Sequence, residues 1–137
     1  MAKSLTGIKG LDVFVFKLPD GAVKVGLTKI DLEKIVEEKL STLNISIEAD
    51  RKPPFIVVNL RSLNPEDGKK IFYHLDVWIW QEATLVRNPD LKIRPTTTWK
   101  LDVLGYVSIG RYKEKIKNRL NDIMNSFLND YLTANPQ

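Results

Sequence analysis

Two hydrophobic periods divide the second half of the chain. From Ile71 to Val107 apolar and polar residues mostly alternate, the period of strands with two distinct faces. From Gly110 to Pro136 the apolar residues Tyr112, Ile116, Leu120, Ile123, Met124, Phe127, Tyr131 and Leu132 recur at steps of three and four, which predicts a long helix with one buried face. The first half is shorter in its units. Leu11 to Lys17 reads as a strand, Pro19-Asp20-Gly21 as a turn, and Ile45 to Ala49 as a second, short strand. Between them Thr28 is placed to cap a helix and Asp31 to complete a capping box, with Leu27 and Leu32 spaced for a hydrophobic staple. Leu32, Ile35, Val36, Leu40 and Leu43 form that helix's inward face, and Asn44 suits the left-handed residue that ends it.

Phe55 to Leu63 predicts a third strand, turned at Asn64 to Gly68 into the long strand from Ile71 to Arg87. That strand exceeds the usual length and is expected to carry a bulge near Gln81–Ala83. Asn88-Pro89-Asp90 then predicts a turn before a last strand, Thr96 to Val107. The expected architecture is α+β: an antiparallel sheet of four to five strands in the order β-α-β-β-β-β-α, with two helices on one face of a single domain spanning residues 1–137.

The two faces of the long strand differ. Ile71, Tyr73, Leu75, Val77 and Ile79 form an aliphatic row suited to lie under the helices, joined by Trp99, Leu101 and Val103. The other parity reads Phe72, His74, Asp76, Trp78, Trp80 and Glu82, and Phe14 and Phe16 of the first strand can share it. Large rings on a sheet face that the helices leave open mark an interface with a protein partner or with a second copy of the chain. A strand twist or an N-terminal segment that covers them would instead make them core.

Composition narrows the chemistry. Of 137 residues 43% are hydrophobic and 28% charged, a globular balance, and no apolar run is long enough to span a bilayer. With no cysteine there is neither a disulfide nor a thiolate metal site, and one histidine cannot build a His-rich one. His74 and Asp76 stand roughly 7 Å apart along one strand face, with no nucleophile beside them in the sequence. No phosphate-binding glycine loop, dinucleotide fingerprint or nucleophile elbow is present. The chain is expected to be a non-enzyme that needs no cofactor or metal.

The net charge of +4 has one source. Arg111, Lys113, Lys115, Lys117 and Arg119 face a single acid, Glu114; the remaining 16 basic and 16 acidic residues cancel. A solvated helix start accounts for such a cluster, and a cytoplasmic nucleic-acid-binding role through these five residues is the alternative. The rings lie on the strand and the cations on the helix, however, whereas a single-strand binder interleaves them in one groove.

Several short motifs, in order, resemble a family of small bacterial proteins of unassigned function that are usually predicted to be exported. They are Gly26-Leu27-Thr28, Val57-Val58-Asn59, Thr98-Trp99, and Phe127-Leu128-Asn129-Asp130-Tyr131-Leu132 followed by Asn135-Pro136. The resemblance runs from about Gly26 onward and implies a periplasmic or otherwise exported protein, with no known reaction. No signal peptide stands before Leu5, so a cytoplasmic location is the alternative. Asp130, near a helix C-terminus, is expected to have a basic partner on a neighbouring loop.

Overall fold

The computed structural model describes residues 2–65 and 68–136. Strand β1 (Gly10–Val15) is followed by a short helix α1 (Asp20–Lys24), helix α2 (Lys29–Thr42) and the two-residue strand β2 (Ser46–Ile47). Strands β3 (Phe55–Leu63), β4 (Lys70–Leu85) and β5 (Asn88–Ser108) then precede the closing helix α3 (Tyr112–Ala134). The fold is α+β with one five-stranded sheet in the order β2-β1-β3-β4-β5. Strands β3, β4 and β5 pair antiparallel as expected, but β1 runs parallel to both β2 and β3. The sheet is therefore mixed: the crossover through α2 returns the chain in the direction of β1.

Local chemistry sets α2. The Thr28 hydroxyl accepts from the Asp31 N–H at 3.1 Å and the Asp31 carboxylate accepts from the Thr28 N–H at 2.9 Å, the reciprocal capping box. Asn44 ends the helix at φ 56°. Pro19-Asp20-Gly21 opens α1 rather than a simple turn. Asn88-Pro89-Asp90 is likewise part of β5, because an edge strand tolerates proline where its missing N–H faces solvent. Register shifts occur between Gln81 and Ala83, as expected, and also at Ile79/Trp80 and Thr84/Leu85. The turn expected at Asn64 to Gly68 contains Glu66 and Asp67, which lie outside the described residues.

The core lies between the sheet and α2 and α3. Ile71, Tyr73, Leu75, Val77 and Ile79 are all buried, together with Ile56, Val58 and Leu60 of β3 and Trp99 of β5. From α3 come Tyr112, Ile116, Leu120, Ile123, Met124 and Phe127. Two expected members fall short: Leu101 and Leu132 are exposed, the first because β5 is an edge strand, the second because it has rotated past the buried stripe of α3. Gly105 is where a side chain has no room, since an added Cβ would sit 2.5 Å from the Tyr73 hydroxyl crossing from β4.

Candidate binding face

Strand register fixes which side chains meet on the face opposite the helices, because paired residues point the same way. Across the sheet the rows read Asp12–Phe55–Trp80–Thr97, then Phe14–Val57–Trp78–Lys100. They continue as Asn59–Asp76–Asp102, Arg61–His74–Leu104 and Leu63–Phe72–Tyr106. All five residues expected on this face (Phe14, Phe16, Phe72, Trp78 and Trp80) therefore lie on it. Phe16 packs on Trp78 with centroids 5.8 Å apart and edge-on to Phe14 at 5.1 Å.

The rings fall into two groups. At one end Phe14, Phe16, Phe55, Val57 and Trp80 wall an apolar cleft of about 260 Å³, with Arg51 at its rim. At the other, Phe72 and Tyr106 lie 5.7 Å apart, with the Lys70 ammonium 4.9 Å over the tyrosine ring. Trp80 keeps 41% of its surface exposed and Phe72 47%. Among the described residues neither the helices nor the N-terminal segment cover them, so this face is open there.

A polar band separates the groups. His74 Nδ1 is 2.5 Å from Arg61 Nη2, which can only donate, so the other ring nitrogen carries the proton and donates to Asp102 Oδ2 at 2.7 Å. That bond holds the Asp102 carboxyl below its ordinary range. Asp76 is only 3% exposed; Lys100 Nζ stands 3.5 Å and Arg61 Nη2 3.9 Å from its Oδ2. His74 and Asp76 approach to 3.9 Å, closer than strand spacing alone suggests because the side chains lean together. Arg61, His74 and Asp102 thus tie β3 to β5 across β4. Among the described residues no group of three or more His, Cys, Asp or Glu could hold a metal ion.

Sequence parity found the rings of β4 and β1 but not Phe55, Tyr106, Arg61 and Asp102, whose membership depends on register. The signal for Phe55 was present: it shares parity with Val57, Asn59 and Arg61 along β3.

The basic start of α3 is elsewhere. The helix packs on the other side of the sheet, so Arg111, Lys113, Lys115, Lys117 and Arg119 are not brought together with the rings. Arg119 donates to Asp122 at 3.2 Å. Lys113 and Lys117 lie near enough to Asp31, at the start of α2, to act on its charge.

The terminal motif has a structural reason. Asp130 accepts from the Trp99 indole N–H at 2.9 Å, so its partner is this buried ring and not a basic loop residue. Tyr131 donates to the Ile8 carbonyl at 2.7 Å, and Asn135 binds the Gly7 N–H and the Leu5 carbonyl.

No protein-family model and no curated protein sequence matches the chain. Among solved structures, a minor lipoprotein from Acinetobacter baumannii is similar at 15% identity and TM-score 0.46, over 92% of each chain. The rare lipoprotein B from Shewanella oneidensis is similar at 13% identity and TM-score 0.43, over 90% of this chain and 94% of that one. No helix among the described residues is long and apolar enough to cross a membrane.

Proposed function

We propose that the chain is a non-enzymatic binding or assembly module whose open sheet face holds a protein partner. The observation that carries this reading is the face itself: two uncovered aromatic groups on either side of a charge-balanced polar band. Three strands about 4.8 Å apart over nine residues rising about 3.3 Å each, with β1 alongside for about half that length, make roughly 500 Å². That is more than half of the ~800 Å² per partner of a stable protein interface and exceeds what a small ligand covers. Trp80 at one end and Tyr106 at the other are residue types that anchor such contacts.

The charges favour a different protein over a second copy stacked face to face. A two-fold axis along the strands sets Phe14 and Phe16 against Lys100 and Asp102 of the copy. An axis across them sets Asp76 and Asp102 against themselves. The matching partner presents apolar side chains at both ends of its contact and hydrogen-bonding groups between them. The bacterial envelope is the compartment of this proposal, and it is supported by the family resemblance of the ordered motifs. The basic start of α3 offers no comparable surface: Arg119 is paired with Asp122, and two of its lysines act on Asp31.

Crosslinking from the face tests the reading. A photoreactive phenylalanine analogue at Phe72 or Trp80, in cells that make the chain, is expected to give one discrete adduct with another protein. The same group at Glu37, outside the face, is expected to give none. Absence of an adduct from both face positions, or adducts only with a second copy, would overturn it.

A further inference from the structure

The sheet has two edges, and they are treated differently. At one, β2 is only two residues long, a length that offers little to pair with. At the other, β5 changes character along its length. Its first part carries Pro89, Lys92, Arg94 and Pro95, the residue types that discourage strand addition. Thr98 is then skipped in the pairing with β4, a bulge between Trp99 and Thr97. Beyond it, Trp99 to Ser108 pairs with β4 without a break, holds no proline, and has only Lys100 and Asp102 as charges. Leu104 on this run is 74% exposed, and among the described residues no strand neighbours its outer edge. A regular, apolar open edge of this kind is a template for another strand.

We infer that β5 pairs antiparallel with β5 of a second copy, centred on Leu101, to give a continuous ten-stranded sheet. For the helices of both copies to lie on one side, the two-fold axis must pass through a residue paired with itself. The charges choose which. Centring on Lys100 or on Asp102 opposes like charges. Centring on Leu101 places Lys100 opposite Asp102 of the copy, twice by symmetry. Centring further along leaves both charges opposite uncharged residues. With Leu101 at the centre, Trp99 to Val103 of each copy make five pairs before the bulge, one more than the four that join β1 to β3. On the helix side the two Leu101 side chains meet over a cleft of about 170 Å³ whose lining includes Leu101, Val103 and Ile123. On the opposite side the two aromatic faces become neighbours, so a partner with two sites would gain from binding both.

Since the chain has no cysteine, single cysteines read the register directly. Light scattering of the wild type is expected to give a dimer. Mild oxidation is expected to link Leu101→Cys through its own copy, because directly opposed residues have Cα atoms about 4.5–5.5 Å apart. Val103→Cys, about 14 Å from its copy in this register, is expected not to link. Asp102→Lys sets lysine against lysine and is expected to raise the dimer dissociation constant roughly tenfold. Lys100→Asp combined with Asp102→Lys restores the cross-copy pairs while spoiling the contacts with Asp76 and His74 inside each chain, so recovery of the dimer isolates the contact between copies. A wild-type monomer at high protein concentration overturns the inference. So does a dimer that links at Val103→Cys, or at neither position, or that ignores both charge changes. Loss of the aromatic-face partner would leave all these readouts unchanged.

Discussion

Trp99 donates its indole N–H to the Asp130 carboxylate at 2.9 Å, and its ring stands edge-on to Phe127 at 5.2 Å. One residue of the last strand thus fastens the last helix by packing and by a charge-assisted hydrogen bond. The Thr98-Trp99 and Phe127–Leu132 motifs meet at this joint.

The joint has a measurable energy. Trp99→Phe removes the donor and leaves a half-buried carboxylate without it, which is expected to cost about 2–3 kcal/mol in urea unfolding. Asp130→Ala is expected to cost about 1–3 kcal/mol. The double variant should cost less than their sum by about 1–2 kcal/mol, whereas additive costs would show that the bond is not formed.

The end of α3 also holds the start of the chain. Tyr131→Phe removes the bond to the Ile8 carbonyl and is expected to cost about 1 kcal/mol. Asn135→Ala releases the Gly7 N–H and the Leu5 carbonyl together. Hydrogen exchange should quicken at the Gly7 amide in Asn135→Ala and stay unchanged in the strand pairs of β3 and β4.

Stability should fall in acid. Hydrogen bonds from the Thr28 N–H and then its hydroxyl hold Asp31 below its ordinary value of 3.8, and the bond from His74 does the same for Asp102. Folded values lower than unfolded ones mean the stabilisation is present above about pH 4 and is lost as the pH falls through the folded values. The urea midpoint should therefore drop as the pH falls below about 4. In Asp31→Asn it should start lower and drop less.

Gly105→Ala places a Cβ 2.5 Å from the Tyr73 hydroxyl, at the rigid end of a ring buried under α3. The overlap is expected to cost about 1–3 kcal/mol by thermal unfolding. Gly110→Ala, where nothing lies within 4 Å, should cost far less.

What the sequence disclosed is what short-range physics decides. The Thr28–Asp31 box, the left-handed Asn44, the bounds of β3 and the aliphatic row of β4 each follow from residues within one element. The parallel pairing of β1 did not, since no local pattern states a strand's neighbour or direction. The first part of β5 was hidden by Asn88-Pro89-Asp90, which read as a turn, and its prolines are permitted only because the strand lies at an edge. The candidate face was half legible: parity put Trp78 and Trp80 together, but only register adds Phe55 and Tyr106, and only a bonded network turns His74 from a lone histidine into a tie between Arg61 and Asp102.

Partner binding across the whole sheet face is read by the crosslinking yield from Phe72 in a Phe14→Ser/Trp80→Ser variant whose folding has been checked by unfolding. The variant is expected to fold, because both rings are exposed, and the adduct with the proposed partner protein is expected to fall roughly tenfold or more as the opposite end of the contact is lost. An unchanged adduct in a folded variant would contradict this reading, and so would a variant that fails to fold, since the rings would then belong to the core.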